Sequence, residues 1–168
     1  LVQVQRASQR NTHALQIVIE DCGECHEGAD SLEGLRTIRM TDVDYDGDGD
    51  VAEGVYGEID TMRERLYAAI QAYAVEFTGT PILYDAHAYP YWFADTDGNG
   101  RVNDEEGGFA SWTPNLLRAA YNYQDSQKDP GAFAHNSSYV LQILYDSIQA
   151  VHGDLTGATR AEVRTFGQ

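Results

Sequence analysis

The stretch IDTMRERLYAAIQAYAVEF, residues 59–77, reads as one long amphipathic helix and decides the class of the fold. Ile59, Met62, Leu66, Ile70, Tyr73 and Phe77 recur at three- and four-residue steps. That spacing lines them along one face at the helical period of about 3.6 residues. Gly79 and Pro81 should end the helix, because glycine suits a left-handed cap and proline cannot continue one. Downstream, Thr113-Pro114 is an N-cap followed by a first-turn proline, which predicts a helix to about Gln124. Asp129-Pro130-Gly131 forces a turn. Asn136 is then placed to cap a last helix striped with Leu141, Leu144, Tyr145, Ile148 and Val151, ending at Gly153. Upstream, Ser31 to Met40 is expected to be a short helix. Strand signals are scarce, so the expected class is mainly α. The expected organisation is an extended arm over residues 1–20, a helical domain over 21–153 and a loose tail over 154–168.

The 168 residues, 42% of them hydrophobic, suit one folded domain with its own core. No apolar run is long enough to cross a membrane. There is no basic and apolar leader at Leu1, so an exported protein would have lost its signal or be a piece of something longer. A net charge of −16 argues against nucleic acid, which needs clustered Lys and Arg. The acid is also uneven: residues 42–53 hold six carboxylates and residues 95–106 hold five, 11 of the 27 in all. Such density repels itself unless cations neutralise it.

Residues 95–106 match the EF-hand calcium loop at each diagnostic place. Asp95, Asp97 and Asn99 stand at positions one, three and five, Gly100 makes the sharp turn, and Arg101 offers its carbonyl. Val102 is the inward apolar residue and Glu106 the closing bidentate carboxylate. The bland alternative is a solvated acidic loop. The first loop is less regular. Asp44, Asp46, Asp48 and Asp50 lead it and Gly49 turns it, but position twelve is Val55, so Glu53 or Glu58 would have to close it. Starting at Asp42 instead puts Glu53 in the closing place but loses the apolar residue at position eight. One or two calcium ions are expected. Neither loop has the paired helices of a calcium sensor, so both are expected to act as staples.

The cysteines, Cys22 and Cys25, both fall in Cys22-Gly23-Glu24-Cys25-His26. Two thiols and an imidazole at this spacing suit covalent attachment of haem c, the thiols adding to the vinyl groups and His26 reaching the iron. Zinc would want two further ligands, preferably another cysteine pair, and thiol redox chemistry would want a βαβ setting. The haem reading predicts an extracytoplasmic protein, since haem c is normally attached after export. Candidates for a sixth ligand are His13, His87, His135, His152, Met40 and Met62. Met62 lies on the apolar face of the long helix and reads as core. Met40 reads as the end of its helix and His152 as a last-turn cap. His87, in the aromatic stretch Tyr84–Phe93, is either a haem wall or a packed histidine. His13 is either a solvent-exposed tail residue or a ligand to a neighbouring haem.

The run Asn115-Leu116-Leu117-Arg118-Ala119-Ala120-Tyr121-Asn122, followed after a turn by Ala134-His135-Asn136, resembles a known pattern over residues 113–152. It is similar to the C-terminal helical hairpin of multihaem cytochromes related to the pentahaem nitrite reductases and their octahaem relatives. There a His-Asn pair precedes the final helix and the histidine is commonly a distal haem ligand, which implies that role for His135. Two departures stand: Ser137 replaces the usual proline, and this chain has one CxxCH where the family has several. The whole chain also resembles the C-terminal part of bacterial polyhaem, membrane-associated cytochromes. The resemblance implies a bis-His electron carrier rather than an enzyme. It would form one unit of a longer haem chain, with other cytochromes, redox proteins or further copies of itself as partners. Two competing classes are a haem enzyme or gas sensor with an open sixth position, and an assembly module in which haem and calcium serve structure.

Overall fold

The computed structural model describes residues 17–23, 26 and 29–162. Among the described residues, six helices and one short hairpin follow in order: α1 (Ile19–Gly23), α2 (Leu32–Arg36), α3 (Val55–Thr78), β1 (Ile82–Tyr84), β2 (Trp92–Ala94), α4 (Pro114–Lys128), α5 (Ala132–His135) and α6 (Ser137–Ala150). The protein is mostly helical, and α3, α4 and α6 pack against one another around one core. Ile59, Met62, Leu66 and Ile70 of α3 meet Leu116 of α4 and Leu141, Leu144 and Ile148 of α6, all essentially sealed from water. Each such side chain contributes roughly 1.5–3 kcal/mol by leaving water.

Helix α3 begins at Val55, earlier than the apolar stripe alone suggests. Gly54, its extended N-cap, lets the chain pass close to α2; a Cβ there would lie 1.8 Å from the Arg36 carbonyl oxygen. Gly79 ends the helix in the left-handed conformation at φ 68, its N–H bonding the Val75 carbonyl. Phe77 departs from the expected buried stripe: it is 47% exposed and stacks on Tyr73 at 4.2 Å. Helix α2 is shorter than expected, because Thr37 caps it and Arg39 and Met40 run on outside it. Ser31 accepts the Gly34 N–H and starts it. Helix α4 starts as expected, with Thr113 Oγ1 accepting the Leu116 N–H, and continues to Lys128.

His135 does not open the last helix. It closes α5, a single turn, and Asn136 at φ −158 separates the two. Asn136 occupies the N-cap position of α6, but its side chain makes no capping bond. At the other end α6 stops at Ala150, and His152 rather than Gly153 takes the left-handed position at φ 57. The N–H groups of His152 and Gly153 bond the carbonyls of Gln149 and Ile148, a Schellman closure.

β1 and β2 pair antiparallel with Leu83 opposite Phe93, and Phe93 also bridges Gly108. The loop 95–106 is therefore hung between a strand and a bridge, not between two helices. At the start of the described residues Ile17 and Ile19 pack on the core, and α1 starts at Ile19. Residues 154–162 pack on the domain as well. Ala161 is buried, Thr159 donates to the Tyr45 carbonyl, and Arg160 pairs with Asp146 at 2.6 Å. Among the described residues no helix is long and apolar enough to cross a membrane.

Candidate functional site

Cys22 sits in α1 and His26 a turn further on, where the His26 N–H donates to the Cys22 carbonyl at 3.1 Å. Both side chains are half-buried and line a cavity of about 240 Å³. Its apolar wall is built from Leu35, Ile38, Val55 and Phe133, and its rim from Met40, Ala134 and Ser137. Thus α1, α2, the start of α3 and the α5–α6 junction converge on one thiol and one imidazole. Cys25 and His13 lie outside the described residues.

The expected distal ligands are placed as follows. His135 is exposed and falls between two rim residues, Ala134 and Ser137, without itself lining the cavity. Met40, read from sequence as a helix end, instead lines the cavity and is 84% exposed. His87 is not brought to this cavity. It stands on the rim of another, of about 420 Å³, with Tyr67, Tyr84 and Tyr123, and its ring faces Asp85 at 3.5 Å. His152 packs edge-on to Tyr73 and Phe77, and Met62 is core.

Among the described residues, carboxylate oxygens gather in three groups, within each of which they lie within 4.8 Å of one another: Asp44, Asp46 and Asp48; Asp46, Glu53 and Glu58; and Asp95, Asp97 and Glu106. In the second loop the backbone itself satisfies the acids. Asp95 accepts the N–H groups of Asn99 and Gly100, and Glu106 accepts those of Thr96 and Asn103. Asn99 receives the Arg101 N–H, and Gly98 and Gly100 supply the left-handed turns at φ 70 and 73. Asn103, passed over in the sequence, also joins this loop, its amide reaching Asp97 at 3.2 Å.

The first loop is different. Asp46 and Glu58 are wholly buried. Glu58 Oε2 accepts the N–H groups of Tyr45 and Asp46, both at 2.8 Å, and Arg39 reaches Glu58 Oε1 at 2.5 Å. Asp46 Oδ2 and Glu53 Oε1 are sealed from solvent with no hydrogen-bond partner. Burial pushes the Glu53 carboxyl up to about 7, reinforced by the charges of Asp46 and Glu58. Burial also raises Asp46, tempered by the Asp48 N–H and by Thr61. Asp50 belongs to neither group; it accepts the Ala52 N–H and faces solvent. Glu58 was legible only as a possible substitute, because it lies beyond the loop in the first turn of α3.

The chain is similar to polyhaem c-type cytochromes. Two of them, from Geobacter sulfurreducens, are the C-type polyheme cytochromes OmcB, 30% identical over 117 residues, and OmcC, 29% identical over the same length. Each match takes in 60% of this chain but only 16% or 15% of the relative, so the chain spans about a sixth of the length of these curated relatives. No family model matches the chain, and no solved structure matches it.

Proposed function

We propose that this chain carries one covalently attached haem c and passes electrons through it, as one unit of a larger haem chain. The observation that carries the reading is the cavity itself. Cys22 and His26 of the attachment motif open onto an apolar wall and face the α5–α6 junction bearing His135. The similarity to polyhaem cytochromes supports the same chemistry. Bound haem supplies a one-electron redox centre. In this reading Cys22 and Cys25 hold it by thioether bonds, and His26 is the proximal ligand. Leu35, Ile38, Val55 and Phe133 exclude water on one side. At about 240 Å³ the cavity falls below the usual range for ligand pockets, roughly 300–1,000 Å³. A cavity of that size suits exchange with a neighbouring redox centre better than enclosure of a substrate.

His135 is the proposed sixth ligand and makes the haem low-spin. Met40 is the rival, because it lines the cavity directly and an 84% exposed methionine is otherwise hard to account for. The absorption and electron paramagnetic resonance spectra of His135→Ala and Met40→Ala separate them. His135→Ala should turn the haem high-spin while Met40→Ala leaves it low-spin; the reverse pattern would assign methionine. Attachment of haem c after export, an extracytoplasmic location and redox partners that are other cytochromes or copies of this chain follow from the same reading. Calcium in the two acidic loops, held in the second by Asp95, Asp97, Asn99, the Arg101 carbonyl and Glu106, is proposed to staple the domain.

A further inference from the structure

We infer that the first acidic loop holds its calcium ion between Asp46, Glu53 and Glu58, closed from helix α3 rather than from the loop, and that this ion braces the wall of the Cys22–His26 cavity. The site deepens the calcium reading of that loop, and the brace rests on the haem reading. Asp46 and Glu58 are wholly buried, one oxygen each from Asp46, Glu53 and Glu58 lies within 4.8 Å of the others, and Asp46 Oδ2 and Glu53 Oε1 have no hydrogen-bond partner. A buried carboxylate oxygen without a partner is costly, and a cation bound there would relieve that cost. The charge agrees: three carboxylates meet the one guanidinium of Arg39, with Asp44 and Asp48 adjoining through Asp46, an excess of negative charge that a divalent ion offsets. The donors are all carboxylate oxygens, which favours a hard cation. Calcium accepts six to eight oxygens at about 2.3–2.6 Å in flexible geometry, whereas magnesium demands an octahedron, so calcium is the ion named.

The fold makes room for this geometry. Gly57, inside α3, is the residue over which Glu53 folds; a Cβ there would lie 1.8 Å from Glu53 Oε2. Arg39 ties the cluster to the cavity. It bonds the Glu53 carbonyl at 3.0 Å and Glu58 at 2.5 Å, and its chain neighbours Ile38 and Met40 both line the cavity. The Val55 N–H, at the start of α3, donates to the Ile38 carbonyl and closes the same wall.

The test is calcium titration by calorimetry on the chelated, haem-loaded protein, with the haem spectrum and midpoint potential followed in parallel. Asp95→Asn weakens the second loop and isolates the first. In that background one calcium site should remain, and it should weaken by roughly tenfold or more in Glu53→Gln and in Gly57→Ala. Gly57→Ala removes no charge and improves helix propensity, so the loss would come from displacing Glu53. Glu53→Gln should also raise the melting temperature of the calcium-free protein, because it relieves repulsion. A Glu53 with a merely structural role would lower it. Wild-type affinity in both variants would overturn the site. A potential and spectrum indifferent to calcium, with the site intact, would overturn the brace alone. A chain that binds calcium but lacks haem would overturn the haem reading and the brace while leaving the ion in place.

Discussion

Two halves of the molecule pair an acidic loop with a cavity, and they differ in the way that decides function. On one side the loop 95–106 adjoins the larger cavity, where Gly100, Arg101 and Val102 share the lining with Tyr67, Tyr84, Tyr123 and His87. On the other the loop 42–53 lies behind the smaller cavity, linked to it through Arg39, Ile38 and Met40. The larger cavity is walled by an aromatic cluster that also holds Trp92 and Trp112. The smaller one has a thiol and an imidazole. Size does not locate the chemistry; the side chains that can form bonds do. The loops divide in the same way. The second satisfies its own acids with backbone N–H groups and holds its shape from within. The first does so at Asp44 and at Glu58 Oε2, but buries Asp46 Oδ2 and Glu53 Oε1 without a partner.

The comparison breaks most visibly at Cys22. Cys22→Ala should leave at most one thioether bond, read as the red-shifted pyridine haemochrome of a haem with one unreacted vinyl group. A haemochrome identical to the wild type's would move the chemistry elsewhere. On the aromatic side, Trp92→Ala should cost about 3–5 kcal/mol in stability, since Trp92 is buried among Tyr67, Tyr84 and Tyr123. Denaturant unfolding measures the loss, and the haem spectrum of the folded fraction should stay unchanged. Chelation of calcium is the next largest effect. Relative to calcium at a hundredfold excess over Kd, its removal should cost about 2.7 kcal/mol, or roughly 5–10 °C in a domain of this size. Most of that drop should vanish in Glu53→Gln and persist in Asp95→Asn. The smallest effect belongs to His87→Ala. Its ring is 96% exposed and away from the Cys22 cavity, so stability should change by less than about 0.5 kcal/mol and the spectrum not at all.

What the sequence disclosed followed local physics. The periodic apolar stripe of α3, the Thr113-Pro114 start of α4 and the Gly79 stop are properties of a few neighbouring residues, and they appear in the fold as read, save that Phe77 leaves the stripe for the surface. The attachment motif and the ligand spacing of residues 95–106 are local in the same sense. The rest depended on contacts between distant segments. Glu58 joins Asp46 only because α3 folds back under the loop, and Met40 reaches the cavity only because Thr37 ends α2 early. The packing of residues 154–162 needs Gly47 and Gly157 to approach each other so closely that a Cβ on Gly47 would lie 2.3 Å from the Gly157 carbonyl carbon. No local pattern announces such a contact. Asn136 teaches the converse: it takes the N-cap place that its residue type suggests without making the capping bond.

A redox titration of the purified protein, followed by its absorption spectrum, tests the central claim most directly. A single reversible one-electron transition of a low-spin c-type haem, present at one per chain, is the expected result. A chain without haem bands, or a high-spin haem that binds added ligands in its resting state, would contradict it.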